Sequence, residues 1–197
     1  MTETEIVQAA ERYIGAEQDP SFADEVRELL GAKKFDELED RFYTDLEFGT
    51  GGLRGVIGGG FNRMNPFVVA RATTGLARYA KKYGEVGSDG TPAAVISHDS
   101  RRYSREFALS AALVFAAHGV KTYLFSDLRP TPELSFAVRE LGATVGIMVT
   151  ASHNPPQYNG YKVYWADGAQ IVAPHDSAII QQVMQVRPEE IERYCHY

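Results

Sequence analysis

The sequence predicts an α/β fold with a mixed, mainly parallel sheet and flanking helices, preceded by an N-terminal helical extension. Two observations support this prediction. From residue 46 onward, short apolar segments alternate with longer amphipathic segments, an order typical of βαβ units. Before that point, apolar residues recur at helical spacing with no strand-like segment between them. We therefore divide the chain into an extension at residues 1–44 and an α/β domain at residues 45–197.

The extension is predicted to be helical because of its apolar periodicity. Ile6, Ala10 and Ile14 fall on one helical face, and a similar pattern continues from Phe22. Gly31 is a plausible helix end, since glycine favours the residue positions that close a helix. The extension is therefore expected to contain more than one helix.

In the α/β domain, each predicted helix lies between predicted strands. Pro66 suits the first turn of a helix and Gly84 suits its end. Helices of this length between strands predict right-handed crossovers, which make neighbouring strands parallel. The predicted helices span residues 65–84, 104–119, 132–142 and 174–186, and the predicted strands span residues 93–97, 120–125 and 143–150.

Composition restricts the class of protein. The chain has 197 residues, 44% of them hydrophobic, and a formal net charge of -6. It contains no run of about eighteen apolar residues, and its acidic start lacks the features of a signal peptide. The single Cys195 cannot form an internal disulfide. We expect a cytoplasmic protein that binds neither membranes nor nucleic acid, although a local basic pocket for a phosphorylated small molecule remains compatible with the charge.

A glycine-rich segment at residues 47–65, "EFGTGGLRGVIGGGFNRMN", is the first candidate loop. Glycines such as Gly51 and Gly52 let backbone N–H groups approach a ligand, and the fork of Arg54 suits a phosphate group. A turn between two strands is the structural alternative. No Lys-Ser or Lys-Thr pair follows the glycines, so the segment is not a Walker loop.

The second candidate loop, "SHDSRRYS" at residues 97–104, follows a predicted strand. Ligands of α/β sheets bind at the carboxyl ends of strands, where this loop lies. Arg101 is a candidate phosphate contact there. Ion pairs of Arg101 and Arg102 with Asp99 or Glu106 at the start of a helix are the alternative.

The third candidate loop, "TASHNPPQYNGYKVY" at residues 150–164, places Ser152 directly after an apolar strand. Pro155 and Pro156 predict extended, restricted backbone. In an extended segment the side chains of Ser152 and His153 point apart, and no Gly-x-Ser-x-Gly elbow is present, so a serine hydrolase is disfavoured. A serine that carries a phosphoryl group fits better, with Arg54, Lys162 and a metal ion as cations. An incidental serine in a surface turn is the remaining alternative.

Three motifs give the chain a resemblance to a known family. "TASHNPPQYNGYKVY" resembles the phosphoserine loop of the α-D-phosphohexomutases. "FGTGGLRGVIGGGFNRMN" and "LRPTPELSFAV" narrow the resemblance to bacterial phosphoglucomutase/phosphomannomutase proteins and their phosphopentomutase-like relatives. The resemblance extends from about residue 42 to about residue 170 and implies the first α/β/α domain of that family.

The resemblance implies a mutase that interconverts sugar 1-phosphate and 6-phosphate through a phosphoserine and a sugar 1,6-bisphosphate intermediate. Ser152 matches the phosphoserine, whose phosphate would also bind Mg²⁺. Arg54 and Lys162 would stabilise charge and assist proton movement, and His153 and Asn154 would orient the serine phosphate and the substrate. The implied contacts to substrate phosphate are Thr50, Gly51, Gly52, Asn154 and Arg101.

The resemblance also implies what the chain lacks. Complete family members have four domains, and domains II–IV supply an Asp-x-Asp-x-Asp magnesium loop, a sugar-discriminating loop and a phosphate clamp. None of these motifs occurs here, and Asp167 alone cannot replace the magnesium loop. We therefore expect a first domain that is inactive by itself and acts on a hexose or pentose phosphate only together with domains II–IV. A non-catalytic phosphosugar-binding or interaction module remains the alternative.

Overall fold

The fold alternates helices with strands after three initial helices. A computed structural model of the chain describes residues 1–49, 51–86 and 90–194. The helices of this part are α1 (Glu3–Ala16), α2 (Pro20–Gly31), α3 (Phe35–Phe42), α4 (Pro66–Tyr83), α5 (Ser104–Ala117), α6 (Thr131–Glu140) and α7 (His175–Met184), with a short 3-10 helix at Pro188–Glu190. The strands are β1 (Phe48–Gly49), β2 (Gly52–Val56), β3 (Ala93–His98), β4 (Lys121–Leu124), β5 (Val145–Val149) and β6 (Tyr158–Trp165).

Local sequence signals set several helix ends. Asn65 caps α4 by accepting a hydrogen bond from the backbone of Val68, Pro66 opens the helix, and Gly84 follows its last residue. The N-terminal segment is helical as predicted, and α2 ends at Gly31. The predicted helix ends at Gly31, Pro66 and Gly84 are confirmed. They could be predicted because each depends on residues adjacent in sequence.

The six strands form one mixed sheet in the order β1-β2-β6-β5-β3-β4. β3 lies parallel to both β4 and β5, and α5 and α6 make the crossovers between these strands. The α/β class, the mixed sheet and the predicted crossovers are therefore confirmed.

The expectation that the sheet is mainly parallel needs correction. Three of its five strand pairings are antiparallel, namely β1 with β2, β2 with β6, and β5 with β6. The reason is that the glycine-rich segment forms β2, where a loop was predicted. The connection from β5 to β6 is also short, so β6 runs back beside β5 in the antiparallel direction. A parallel neighbour would need a crossover of a dozen or more residues.

Helices cover both faces of the sheet. Val95, Met148 and Tyr164 pack with α6 on one face. Ile96, Ile147 and Val163 lie in the larger core on the other face, with α4, α5 and α7. Alternation along each strand sends neighbouring residues to opposite faces, which places two cores around one sheet.

The three N-terminal helices share the larger core. Tyr13 of α1 makes edge-to-face contacts with Phe42, Phe61 and Phe67, at centroid distances of 5.9, 5.6 and 6.0 Å. The boundary after residue 44 stays a prediction, because the helices on one side of it pack into the same cluster as the sheet.

No helix within residues 1–49, 51–86 and 90–194 is both long and apolar enough to span a bilayer.

Candidate functional site

Ser152 lies on a tight turn directly after β5. The turn closes with a hydrogen bond from the Asn154 N–H to the Ala151 carbonyl at 3.1 Å. The Ser152 N–H donates to Thr150 Oγ1 at 2.9 Å. Ser152 has φ 57°, in the left-handed region, and its side chain is exposed. The hydroxyl therefore projects into solvent from a backbone with defined geometry.

This turn corrects the prediction of extended backbone at Ser152. The two prolines come after the turn, which residues 151–154 form, so they do not govern the conformation of Ser152. Because Ser152 is left-handed, its side chain does not point away from the next residue. Its Oγ lies 3.4 Å from His153 Nδ1, a long hydrogen-bond distance.

A pocket opens beside Ser152 at the carboxyl ends of β3 and β5, as predicted for a ligand site. It has a volume of about 490 Å³. The N–H of Asp99 donates to the carbonyl of Val149 at 3.1 Å, which joins the two strand ends. The pocket is lined by Asp99, Ser100, Arg101, Arg102, Ser152, Asn154 and Pro156.

The two adjacent arginines of this pocket have different surroundings. Arg101 is largely enclosed and donates to backbone carbonyls of the Ser152 loop, among them Ser152 and Asn154 at 2.7 and 2.6 Å. It also forms the ion pair with Asp99 that the sequence offered as the alternative, at 3.5 Å. Arg102 is exposed, and its guanidinium lies 5.8 Å from the centre of the Tyr103 ring.

Arg54 and Lys162 lie on paired strands, and this corrects the prediction that Arg54 belongs to a loop. Arg54 of β2 is opposite Gly160 of β6, and Lys162 is two residues further along the same face. Both side chains line a polar pocket of about 310 Å³. The pocket is lined by Gly51, Gly52, Leu53, Arg54, Lys162 and Gln170.

Glycine is required where β2 approaches β6. Gly52 has φ 140°, and a Cβ there would lie 1.9 Å from the carbonyl oxygen of Tyr161. A Cβ on Gly160 would lie 2.6 Å from the carbonyl oxygen of Thr150. The close packing that brings Arg54, Lys162 and the Ser152 turn to one end of β6 therefore excludes side chains at these two positions.

One contact connects the two pockets. Arg54 Nη1 lies 3.5 Å from Asn154 Oδ1, at the limit of hydrogen bonding. Asn154 also lines the Ser152 pocket. The structure thus brings Ser152, Asn154, Arg54 and Lys162 together in two adjoining pockets. His153 lies next to Ser152 on the exposed turn and lines neither pocket.

The remaining predicted glycine-loop contacts are less direct. Gly51 is buried, and its carbonyl accepts hydrogen bonds from the N–H of Val163 at 2.9 Å and from Gln170 Nε2 at 3.4 Å. Thr50, the other predicted contact of this turn, lies outside the described residues. The part of the loop that is described lines the Arg54 pocket mainly through Gly52 and the strand that follows it.

Sequence reasoning did not assign Thr150 or Gln170 to the site, and it considered Arg102 only for an ion pair. Thr150 fixes the Ser152 N–H, and a Thr two residues before a serine in a tight turn is a signal that was available. Gln170 reaches the Arg54 pocket through a bridge between its backbone and that of Tyr164. Nothing in the local sequence predicts that placement.

Tyr161 anchors β6 from beneath the site. Its side chain is fully buried on the face of β6 opposite to that of Lys162, and its hydroxyl is hydrogen-bonded to Thr73 Oγ1 at 3.0 Å. Burial raises the pKa of the Tyr161 hydroxyl far above its usual value, so it stays neutral. The strand that carries Lys162 is therefore fixed to α4.

The described residues do not form a magnesium site by themselves. They contain no group of three or more His, Cys, Asp or Glu side chains arranged to hold a metal ion. Asp99 Oδ1 already accepts from the Arg101 N–H and from Ser104 Oγ, at 2.9 and 2.6 Å. Asp167 accepts from the N–H of Ala169 at 2.9 Å within its own turn. Further carboxylates would be needed to complete octahedral coordination.

Comparisons with known proteins agree with the fold and with the location of the motifs. Residues 45–190 match the family model of phosphoglucomutase/phosphomannomutase, alpha/beta/alpha domain I. The chain is 42% identical to a phosphopentomutase from Mus musculus over 183 residues, which is 89% of this chain and 29% of that protein. It is 44% identical to a phosphoglucomutase from Staphylococcus epidermidis over 146 residues, which is 74% of this chain and 26% of that protein.

A solved structure from Thermus thermophilus, assigned as a phosphomannomutase, superposes with a TM-score of 0.66 and 34% identity, covering 78% of this chain and 32% of that one. The chain spans less than a third of the length of each of these three relatives. The family model nevertheless covers most of the chain, including every strand and both pockets. The chain belongs to the phosphoglucomutase/phosphomannomutase family, in which it corresponds to the α/β/α domain I.

Proposed function

We propose that the chain is the phosphoserine-bearing domain of a sugar-phosphate mutase. In this proposal Ser152 donates a phosphoryl group to a sugar monophosphate and takes one back from the bisphosphate. Glucose or mannose phosphates are the hexose candidates. The mouse relative is named a phosphopentomutase, which makes a pentose phosphate a further candidate substrate.

One observation carries the proposal. Ser152 presents an exposed hydroxyl on a hydrogen-bonded turn, in a pocket that also contains Arg101 and Arg102. Phosphoryl transfer asks little of a protein beyond alignment and stabilisation of charge. A fixed hydroxyl beside cationic side chains supplies both.

The proposed step forms one bond and breaks one. Ser152 Oγ attacks a phosphorus atom of the sugar bisphosphate, the Oγ–P bond forms, and the bond from phosphorus to the sugar oxygen breaks. His153 Nδ1, at 3.4 Å from Oγ, accepts the hydroxyl proton, and the leaving sugar oxygen takes up a proton from solvent. In the preceding step, phosphorylated Ser152 gives its phosphoryl group to the sugar monophosphate, and the resulting bisphosphate changes orientation before Ser152 attacks its other phosphate.

Arg54 and Lys162 stabilise charge in this scheme. Two phosphate groups repel each other, and cations fixed near the transferring group offset that repulsion. Both side chains line one pocket next to the Ser152 turn, and Arg54 reaches Asn154 on that turn. We assign Arg54 to the transferring phosphoryl group and Lys162 to the sugar phosphate beside it.

Magnesium remains part of the proposal, with the phosphate oxygens of Ser152 as its ligands from this chain. When bound, Mg²⁺ would offset the negative charge of that phosphate. Its other ligands lie outside the described residues, so we assign no step of the reaction in this chain to the metal.

We propose that the 197-residue chain alone does not complete the mutase cycle. A clamp for the distal phosphate and the remaining magnesium ligands are expected from domains II–IV. Purified chain, free of other mutases, should therefore not convert glucose 1-phosphate to glucose 6-phosphate above background. Measurable conversion would show that these residues supply every group required. The cytoplasmic location also stays a prediction.

The phosphorylation of Ser152 tests the proposal directly. The chain is incubated with glucose 1,6-bisphosphate and Mg²⁺, and separately with ribose 1,5-bisphosphate, and intact mass and peptide mapping then locate any added phosphate. We expect one phosphate, on Ser152, from at least one of the two donors. A chain that binds these bisphosphates without phosphorylation would favour the alternative, a non-catalytic phosphosugar-binding module.

A further inference from the structure

We propose that Arg101 is a positioning residue that holds the Ser152 turn in its working conformation and does not contact substrate phosphate. The inference deepens the proposed function, since it concerns the geometry of the proposed nucleophile. It makes a separate structural claim that can be tested whether or not Ser152 is phosphorylated.

The guanidinium of Arg101 gathers four carbonyl groups of one loop. Nη2 donates to the carbonyls of Ser152 and Asn154, at 2.7 and 2.6 Å. Nη1 donates to the carbonyls of Pro155 and Tyr158, at 3.0 and 3.1 Å. These acceptors span the whole loop between β5 and β6, so one planar group fixes its course.

The loop needs such a group because it contains few hydrogen bonds of its own. Pro155 and Pro156 have no N–H to donate. The internal backbone bonds that close its turns are those from Asn154 to Ala151 and from Tyr158 to Pro155, at 3.1 and 3.0 Å. Ser152 adopts a left-handed conformation, which a residue with a side chain keeps only when its surroundings impose it. The Arg101 bond to the Ser152 carbonyl is one such restraint.

Arg101 is itself held in place. Asp99 Oδ1 accepts from the Arg101 N–H at 2.9 Å and from Ser104 Oγ at 2.6 Å. The other oxygen of Asp99 lies 3.5 Å from Arg101 Nε. Asp99 is fixed to the end of β5 through Val149. The ends of β3 and β5 and the Ser152 loop thus form one hydrogen-bonded unit around Arg101.

The donor count argues against a direct phosphate role for Arg101. Arginine has five side-chain N–H donors. Nη1 and Nη2 each serve two carbonyls, and Nε faces Asp99. A phosphate could be bound only by giving up contacts that hold the loop. Arg102, by contrast, has an exposed side chain in the same pocket, which makes it the matched control.

The test compares Arg101→Lys with Arg102→Lys in the 197-residue chain. A lysine keeps the charge but cannot present four donors in one plane. Amide hydrogen exchange measured by NMR at Asn154 and Tyr158 reports the loop, and amides of β5 and β6 report the sheet. The rate of Ser152 phosphorylation by a sugar bisphosphate is measured against donor concentration.

For Arg101→Lys we expect faster exchange at Asn154 and at Tyr158, the first residue of β6, with unchanged exchange in β5 and in the rest of β6 and an unchanged thermal midpoint. The maximal phosphorylation rate should fall roughly ten- to a hundredfold, because a displacement of about 1 Å of a reacting group can cost about a hundredfold. The half-saturating donor concentration should not change, since Arg101 does not touch the donor. Arg102→Lys should leave the loop exchange unchanged.

Several outcomes would overturn the inference. One is loop exchange in Arg101→Lys equal to that of the unmodified chain. Another is a changed half-saturating concentration with an unchanged maximal rate, which would indicate a direct phosphate contact. If Arg101→Lys does not fold, Asp99→Asn replaces it, because it keeps the Oδ1 acceptor and puts an NH₂ group, which cannot accept from Nε, in place of the second oxygen. Asp99→Asn should give a smaller rise in loop exchange, and no rise would equally reject the inference. Lack of phosphorylation in the unmodified chain would reject the proposed function, while the exchange data would still decide the role of Arg101.

Discussion

The two sides of the candidate site differ in how firmly the chain holds them. On the Ser152 side, the Ser152 N–H donates to Thr150 Oγ1, the Asn154 N–H to the Ala151 carbonyl, and Arg101 to the Ser152 carbonyl, which together fix the backbone of the loop. On the other side, Arg54 is exposed, and among the described residues its side chain reaches only Asn154, at 3.5 Å. The difference indicates that this chain restrains the proposed nucleophile more firmly than it restrains the Arg54 side chain.

The largest expected effect comes from removing the nucleophile. Ser152→Ala should abolish phosphorylation of the chain by a sugar bisphosphate, because no other hydroxyl occupies that turn. The free energy of unfolding should change by less than about 0.5 kcal/mol, as is usual for an exposed loop position. Intact mass and urea denaturation measure the two quantities.

Ser100→Ala is the matched control for that change. Ser100 lines the same pocket, and its loss should leave phosphorylation intact. If Ser152→Ala still accepted a phosphate, or if Ser100→Ala failed to, the phosphoserine would have to be assigned to another residue.

The sequence predicted where Ser152 lies in the fold, but not the conformation of the turn that carries it. The motif located Ser152 correctly at the end of a strand, because apolar strand residues and the following loop are adjacent in sequence. The left-handed turn was missed, since it depends on Arg101, which lies 51 residues away and donates to the Ser152 carbonyl. The local sequence around Arg101 suggested a phosphate contact or an ion pair at a helix start, and neither pointed to the Ser152 carbonyl.

The segment around Arg54 was predicted less well, because amino-acid composition alone does not determine whether a glycine-rich segment forms a strand. Glycine weakens a strand on average, so the segment around Arg54 was predicted to be a loop. It forms β2 because its glycines allow close packing against β6, where a Cβ at Gly52 would clash with Tyr161. Helix ends marked by Pro66 and Gly84 were predicted correctly, since the signals that start and end a helix are local. Strand pairing is not local, and this explains why the antiparallel half of the sheet was missed.

The second prediction tests the less restrained side. Arg54→Lys should lower the maximal phosphoryl-transfer rate by up to about a hundredfold, because a fixed donor to a transferring group is typically worth about 2.7–4 kcal/mol, Arg54 is less restrained, and lysine keeps the charge but not the fork. Stability should be unchanged, because within the part of the chain that the structure describes Arg54 has only its long contact to Asn154. Rapid-quench measurement of Ser152 phosphorylation gives the rate.

Arg27→Lys, an exposed change on α2, serves as the control for the loss of an arginine fork elsewhere on the surface. An unchanged rate in Arg54→Lys would remove Arg54 from the site and leave it as a strand residue. The difference in restraint between the Ser152 turn and the Arg54 side chain would then have no consequence for phosphoryl transfer.

A smaller effect is expected beneath the site. Tyr161→Phe removes the hydroxyl that is hydrogen-bonded to Thr73 Oγ1 at 3.0 Å, while Thr73 keeps its own donation to the Val69 carbonyl at 2.8 Å. The free energy of unfolding should fall by about 0.5–1.5 kcal/mol, the usual net contribution of one hydrogen bond. Urea denaturation measures it, with the exposed Tyr43→Phe as control.

If Tyr161→Phe slowed phosphorylation by as much as Arg54→Lys, the working positions of Arg54 and Lys162 would depend on the hydrogen bond of the Tyr161 hydroxyl. We expect a change of less than about twofold, because the backbone pairing of β2 with β6 holds Lys162 without the tyrosine hydroxyl.

The smallest effect concerns a buried carboxyl group distant from both sides, and it separates local from global changes. Glu17 accepts hydrogen bonds from the Tyr13 hydroxyl and from the N–H groups of Asp19 and Phe67, at 3.0, 2.9 and 3.1 Å. Burial is the largest influence on this group and raises its pKa above the ordinary value of 4.5. The folded chain therefore binds a proton more tightly than the unfolded chain, so the contribution of Glu17 to stability is full below about pH 4.5 and is lost as the pH rises through the raised pKa. Glu17→Gln cannot titrate, so the difference in free energy of unfolding between the unmodified chain and this variant should decrease from about pH 4.5 upward. Glu11→Gln, the same substitution at an exposed position of α1, is the control. Urea denaturation across this pH range measures the difference, and a difference that rises with pH would mean that the three hydrogen bonds outweigh burial. The rate of Ser152 phosphorylation should not follow this change in stability while the chain stays folded, because the Ser152 turn and its Arg101 contacts lie outside the helices that Glu17 joins.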